Sequence, residues 1–143
     1  MYSFHYELTL VVIMRVLFIT WFFIVLSMTI TTGQAEVKLL QFDEEIVHLG
    51  QVEKGTQVKS QFKFTNTSHE DVTIDFLSTC ECTEAEWPSE AIKPGESGTI
   101  EFTFDTTKKD KEEAIDLDVI LQNTDQDGNP YFYYLSYDYS FKK

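Results

Sequence analysis

Two cysteines are the residues whose spacing most directly suggests chemistry in this sequence. Cys80 and Cys82 are the only cysteines among 143 residues, and one residue separates them. On a regular β-strand their side chains would point to the same face, about 6.6 Å apart along the chain. A disulfide needs β-carbons about 3.5–4.5 Å apart. A bridge between these cysteines would therefore require a local kink in the chain.

The sequence leaves three states of this pair open. A local disulfide would close a loop of only three residues, which the chain-entropy model values at about 1.6 kcal/mol. Free or partner-linked thiols would fit a thiol-based redox protein. Thiolate ligands would fit a metal-handling protein, although a zinc site needs four ligands and the chain after residue 35 adds only His48 and His69. Redox or metal handling through Cys80 and Cys82 is thus the alternative function.

A second polar group resembles the first half of a calcium-binding loop. Asn123, Asp125 and Asp127 provide oxygen atoms at alternate positions before Gly128. The twelfth position of such a loop requires a bidentate glutamate, and here it is Tyr134. We interpret the segment as a hairpin that reverses the chain and keep a calcium site as the weaker alternative.

No residue pattern indicates catalysis. The sequence contains no recognisable nucleophile–base pair, phosphate-binding glycine loop or spaced carboxylate motif. We therefore expect a non-catalytic interaction or structural module without a cofactor, which binds another protein through a sheet edge or through its loops. Trp87, followed by Pro88, is expected to cover an edge of the core; if exposed, it would mark a contact surface.

Short runs of alternating apolar and polar residues, separated by turn residues, must position these side chains. Such a pattern is typical of an all-β, immunoglobulin-like sandwich of about seven antiparallel strands. The last run has aromatic residues, and Leu135, at alternate positions from 131 to 141, which predicts that most of them enter the core. At a sheet edge, the same strand would offer a template for pairing with a partner. The seven predicted strands are residues 37–42, 46–52, 58–65, 72–77, 98–105, 114–122 and 131–141.

Several short motifs occur in an order that resembles a known family. They are Gly50-Gln51-Val52 with Gly55, Phe62-Lys63-Phe64-Thr65-Asn66-Thr67, Cys80-Glu81-Cys82-Thr83, Ile92-Lys93-Pro94-Gly95-Glu96-Ser97-Gly98, and Phe104. This order resembles the bacterial family called domain of unknown function 1573, which is similar to the immunoglobulin-like modules of major sperm protein and pilus chaperones. The resemblance implies an exported β-sandwich with no established activity. Glu81 and Ser68 depart from it, because the family usually has glycine at both positions.

Two of these motifs also predict local structure. Asn66 ends a predicted strand, where an asparagine side chain commonly hydrogen-bonds to nearby backbone. Lys93-Pro94-Gly95-Glu96 predicts a tight turn, with proline and glycine at its two central positions.

The first 35 residues have the pattern of a signal peptide. Arg15 precedes an apolar stretch from 16 to 28, and Gly33-Gln34-Ala35 supplies small residues at the −3 and −1 positions of a cleavage site. We therefore expect an exported protein, periplasmic or extracellular, with one domain over residues 36–143. The alternative is a membrane anchor, because residues 8–30 together are long enough to span a bilayer.

The net charge also limits the class of partner. It is −13 at pH 7, and removal of residues 1–35 leaves it unchanged because Glu7 and Arg15 are lost together. A surface this acidic repels phosphates, so we expect neither nucleic acid nor, unless the N-terminal segment is retained, a membrane as partner.

Cleavage after Ala35 can be measured directly. We expect the intact mass of the secreted protein to correspond to a chain that begins at Glu36. A protein that keeps residues 16–30 and fractionates with membranes would show that the segment is an anchor.

Overall fold

The structure is a computed structural model that describes residues 14, 15, 17 and 38–143. The predicted signal segment lies outside the described residues, apart from 14, 15 and 17. Within the described part of the chain, no helix is long and apolar enough to cross a membrane. Residues 38–143 form eight strands: β1 (Leu40–Phe42), β2 (Ile46–Val52), β3 (Gln57–Asn66), β4 (Ile74–Ser78), β5 (Thr83–Glu86), β6 (Ser97–Asp105), β7 (Ala114–Thr124) and β8 (Pro130–Phe141).

The strands form two four-stranded sheets that pack face to face. The first sheet has the order β1-β3-β6-β5, and the second has the order β2-β8-β7-β4. The predicted immunoglobulin-like sandwich is confirmed. Two details differ from the sequence expectation. β5 was not predicted, because its four residues, Thr-Glu-Ala-Glu, lack an apolar alternation. The β2–β8 pair is parallel, whereas antiparallel strands were expected.

Alternation along the central strands produces the core. In β6, Ile100, Phe102 and Phe104 are buried, while the intervening Glu101 is exposed. β3 pairs with β6 over nine residues and adds Phe62 and Phe64 to the same face. Each strand of the first sheet thus turns one side toward the second sheet, as a two-layer sandwich requires.

β8 supplies the other half of the aromatic core. Tyr137 stacks on Phe102, with 4.7 Å between ring centroids, and contacts Phe104 at 5.4 Å. Tyr139 contacts Phe104 at 4.5 Å. The predicted burial of the aromatic stripe is confirmed. β8 is not an edge strand, because it lies between β2 and β7, so the condition for pairing with a partner strand is not met.

Three tyrosine hydroxyls of β8 reach polar groups outside their own sheet. The hydroxyl of Tyr133 accepts hydrogen bonds from the backbone N–H groups of Leu39 and Leu40, at 2.7 and 2.8 Å. That of Tyr137 lies 2.6 Å from Oγ1 of Thr83, at the start of β5. That of Tyr139 donates to the carbonyl of Lys111 at 2.8 Å. β8 therefore contacts both edge strands of the first sheet through polar bonds as well as through ring packing.

Asn66 joins two connections at the end of β3. Its side-chain nitrogen donates to the carbonyls of Glu70 and Ile92, both at 2.8 Å, and its side-chain oxygen accepts from the backbone N–H of Ser68 at 2.9 Å. The predicted role of this asparagine is confirmed. Its carbonyl accepts from Gly95, which occupies the predicted turn with a φ of 80°.

Gly98 allows an aromatic ring to lie against the backbone of β6. It pairs with Phe64 across the strands, and a β-carbon at this position would overlap the Phe64 ring. Since Phe64 is only 1% exposed, its ring has no free space to move into. The position therefore requires glycine for a close approach rather than for a turn.

The Gly98→Ala variant tests this contact. The added methyl group should lower the free energy of unfolding by about 1–3 kcal/mol, because it overpacks a buried site. In a Phe64→Leu background the same change should cost less. Urea unfolding of the four proteins in this double-mutant cycle measures the difference. Strictly additive losses would contradict the proposed contact.

Candidate functional site

The outer face of the second sheet carries the large apolar side chains that are exposed within residues 38–143. These are Ile46, Phe76, Phe132 and Tyr134, with 53%, 53%, 46% and 75% of their surface accessible. Isolated apolar residues are common on protein surfaces, but a contiguous group indicates an interaction site. The strand register shows whether these four side chains are isolated or contiguous.

The register places these side chains next to one another. Phe76 of β4 pairs with Ile120 of β7, which in turn pairs with Phe132 of β8. Tyr134 lies two residues further along β8 on the same face, opposite Asp118. Ile46 of β2 pairs with Ser136, the next outward residue of β8. The apolar group is therefore a continuous strip across all four strands.

Carboxylates accompany this strip, and the only basic side chain in the four strands is that of His48. The four strands of the second sheet contain four aspartates, and no lysine or arginine occurs in their sequences. Asp116 and Asp118 stand beside Ser136 and Tyr134, and Asp138 is paired with the exposed His48, with 2.6 Å between Oδ2 and Nδ1. We call this surface the aromatic–acidic face: Ile46, Phe76, Ile120, Phe132 and Tyr134 together with Asp116, Asp118 and Asp138.

The outer face of the first sheet has a different character. Its exposed residues include Lys59 and Lys63 as well as Glu84 and Glu101, and it has no exposed large apolar side chain among the described residues. Mixed charge without apolar area is typical of a solvated surface. Both sheets thus contribute apolar side chains to the core, but their outer faces differ in charge and in exposed apolar area.

The sequence alone does not reveal the aromatic–acidic face. The odd-numbered aromatics from 131 to 141 dominate the last run, and Phe132 and Tyr134 lie between them, on the opposite side of the strand. Two aromatics among Ser136, Asp138 and Ser140 on that side were the available signal. Their proximity to Phe76 depends on strand register, which the sequence does not display.

The cysteine pair occupies a turn between β4 and β5. Of the three states that the sequence left open, the structure contains the disulfide. The α-carbons are 5.2 Å apart, closer than in a regular strand, and Thr83 N–H donates to the carbonyl of Cys80 at 3.1 Å. The kink that a local bridge requires is therefore this turn. Cys82 is 3% exposed, while Cys80 is partly exposed.

Several side chains surround the disulfide. Oγ1 of Thr83 lies 3.4 Å from Sγ of Cys80 and 3.7 Å from Sγ of Cys82. Lys108 Nζ donates to the carbonyl of Glu81, between the two cysteines, at 2.6 Å. Trp87, the other residue predicted for this region, is partly buried and packs against the core, which fits a covering role.

Two of the three predicted calcium-loop residues, Asn123 and Asp125, have side-chain oxygens that accept hydrogen bonds. Oδ1 of Asn123 accepts from the N–H of Thr73 at 3.2 Å. Oδ1 of Asp125 accepts from the N–H groups of Asn129 and Asp127, each at 2.9 Å, and these bonds lower the pKa of the Asp125 carboxyl. The hairpin interpretation accounts for these contacts, and calcium binding stays a prediction. The described residues contain no group of three or more metal-ligating histidine, cysteine or acidic side chains.

The sequence of residues 40–131 matches the family described as a protein of unknown function, DUF1573. The match covers most of the chain, so the protein belongs to this family and the expected resemblance is confirmed. No curated protein matches the chain significantly in sequence.

Solved structures show the same fold at low sequence identity. The ASH/PapD-like domain 7 of human CEP192 has a TM-score of 0.60 and 12% identity, over 77% of this chain and 92% of that one. The VesB protease of Vibrio cholerae has a TM-score of 0.59 and 16% identity, over 72% and 32%. The periplasmic chaperone SfaE has a TM-score of 0.52 and 12% identity, over 73% and 58%. The chain thus spans about a third of the protease. A Caenorhabditis elegans MSP family member also shares the fold.

Alkaline unfolding tests the burial of Tyr137 beside the disulfide. Burial raises the pKa of Tyr137 from 10.0 to about 12. Above pH 10 the unfolded chain releases a proton that the folded chain keeps, so stability should fall as the pH rises from 10 to about 12. Urea midpoints between pH 8 and pH 12 measure this loss.

The Tyr137→Phe variant is the control for this titration. Its decline above pH 10 should be shallower, because phenylalanine cannot ionise. Part of the decline should persist, since burial also raises the pKa of Tyr133 and Tyr139. If the stability of this variant declined equally steeply above pH 10, ionisation of Tyr137 would not contribute to the decline.

Proposed function

We propose that the protein is an exported, non-catalytic binding module, and that its aromatic–acidic face docks a basic and apolar segment of another protein. The observation that carries this proposal is the strip of Phe76, Phe132 and Tyr134, which is exposed on one sheet only. Aromatic side chains supply large contact areas at low entropic cost and are enriched in protein interfaces.

The charge of the face determines the chemistry of its occupant. Carboxylates flank the strip and no lysine or arginine lies in its strands, so a segment with lysine or arginine beside apolar residues is complementary to it. Arginine also stacks favourably on an exposed tyrosine ring such as that of Tyr134. An acidic segment would be repelled by the aspartates and by the overall charge of −13.

The shared fold supports protein binding, and the N-terminal sequence pattern supports export. The family has no assigned function. The fold is shared with a periplasmic chaperone and with a PapD-like domain, and this is consistent with a protein-binding module. Export is supported by Arg15 and the apolar residues that follow it, which have the signal-peptide pattern.

Peptide titration tests the occupant. A synthetic peptide that alternates arginine with leucine should bind the purified protein, and a glutamate–leucine peptide of equal length should not. Chemical-shift changes in nuclear magnetic resonance spectra should concentrate on Phe76, Phe132 and Tyr134. Asp116→Asn with Asp118→Asn should weaken binding about threefold to tenfold, as expected for two exposed ion pairs.

A matched control removes the same charge from the other sheet. Glu84→Gln with Glu101→Gln should leave the affinity for the peptide nearly unchanged, and Tyr134→Ser should reduce it. Equal weakening by both double variants would mean that the peptide recognises only the acidic surface as a whole. Binding to zwitterionic lipid vesicles without binding to either peptide would assign the face to a membrane instead.

A further inference from the structure

The two sulfurs of the disulfide differ in accessibility. Cys82 is 3% exposed and belongs to the core cluster, whereas Cys80 is partly exposed in the turn that precedes β5. A thiolate that approaches from solvent therefore meets the sulfur of Cys80 first. Attack there expels the sulfur of Cys82 as the leaving group.

A hydroxyl is positioned beside both sulfurs. Thr83 Oγ1 lies 3.4 Å from Sγ of Cys80, 3.7 Å from Sγ of Cys82, and 2.6 Å from the hydroxyl of Tyr137. The sulfurs of a disulfide carry no hydrogen, so Thr83 is the donor in these two contacts, and the Tyr137 hydroxyl then donates to Thr83. The hydrogen of the Thr83 hydroxyl is then directed toward the sulfurs. A hydrogen bond of this kind favours the thiolate over the thiol.

A cation is held at the same turn. Lys108 Nζ donates to the carbonyl of Glu81, the residue between the two cysteines, at 2.6 Å. Positive charge close to a cysteine lowers its pKa and stabilises the thiolate that exchange releases. The turn thus combines one accessible sulfur, one hydroxyl donor and one ammonium group.

The fold does not rely on this crosslink. The disulfide closes a loop of only three residues, whereas the core is formed by the aromatic side chains of β3, β6 and β8. A loop this small restricts the unfolded chain little. Opening the disulfide should therefore leave both sheets intact.

From these contacts we propose that Cys80 and Cys82 form a thiol–disulfide exchange site that oxidises a dithiol. One thiolate of the dithiol attacks Sγ of Cys80, the Cys80–Cys82 bond breaks, and Cys82 leaves as a thiolate beside Thr83. The second thiol of the dithiol then attacks the sulfur that the dithiol contributed to the mixed disulfide. This closes a disulfide within the dithiol and releases Cys80 as a thiolate. The dithiol loses two electrons and two protons, and the two cysteines gain them.

Reduction under native conditions is the first test. The purified protein is incubated with reduced dithiothreitol, its thiols are trapped by alkylation, and its intact mass and circular dichroism are recorded. Both cysteines should become alkylated while the β-sheet spectrum is unchanged. A disulfide that stays closed until denaturant is added would overturn the proposal.

Trapping of the mixed disulfide tests the assigned order. The purified protein is incubated with reduced glutathione, a monothiol with no second thiol to resolve the mixed disulfide, and is then alkylated. Peptide mass spectrometry should find glutathione on Cys80 and the alkyl group on Cys82 at least about ten times as often as the reverse, because the sulfur of Cys80 is the more accessible one. Equal amounts of the two products would contradict the assignment of Cys80 as the attacked sulfur.

Thr83 is tested as a positioning residue in the Cys80→Ala background. Thr83→Val keeps the shape and removes the donor, so the thiolate fraction of Cys82 should fall about tenfold, measured by ultraviolet absorbance against pH. Thr83→Ser should restore it. Thr79→Val is the matched control, since the Thr79 hydroxyl donates to the carbonyl of Asp116 instead of facing a sulfur. An equal effect of Thr79→Val would contradict the role of Thr83.

Discussion

The structure depends most on how β8 satisfies polar groups that its aromatic rings would otherwise bury. Tyr133 and Tyr137 cross the core, and their hydroxyls end at β1 and β5, the two edges of the opposite sheet. A tyrosine is suited to this because its ring contributes apolar area while its hydroxyl remains available for a hydrogen bond. Phenylalanine at these positions would fill the same space and leave the N–H groups of Leu39 and Leu40 without this acceptor.

The same strand links the core to both candidate sites. Its inward tyrosines include Tyr137, which reaches Thr83 beside the disulfide, and its outward aromatics include Phe132 and Tyr134. Because side chains alternate along a strand, neighbouring residues of β8 lie on opposite faces of the sheet. The face toward the core is buried and hydrogen-bonded, and the outer face is apolar, acidic and accessible to a partner.

The sequence predicted features that depend on the local alternation of residues. It did not predict features that depend on how strands distant in sequence pair. Tyr133, Tyr137 and Tyr139 were predicted correctly as core residues because they occupy alternate positions in the last run. The role of Asn66 was predicted correctly because of its position at a strand end. β5 was missed because Thr83–Glu86 has no apolar pattern. The face formed by Phe76, Phe132 and Tyr134 was missed because it requires knowledge of register. The state of the cysteines stayed open because only the turn brings their α-carbons within 5.2 Å.

The parallel pairing of β2 with β8 has a consequence for the order of assembly during synthesis. Residues 46–52 leave the ribosome about ninety positions before their hydrogen-bonding partners at 136–141. Closing so large a loop is entropically costly, and neither sheet has its full set of contacts until β8 is present. The second sheet therefore stays incomplete, and β2 lacks its hydrogen-bonding partner, until β8 has been synthesised.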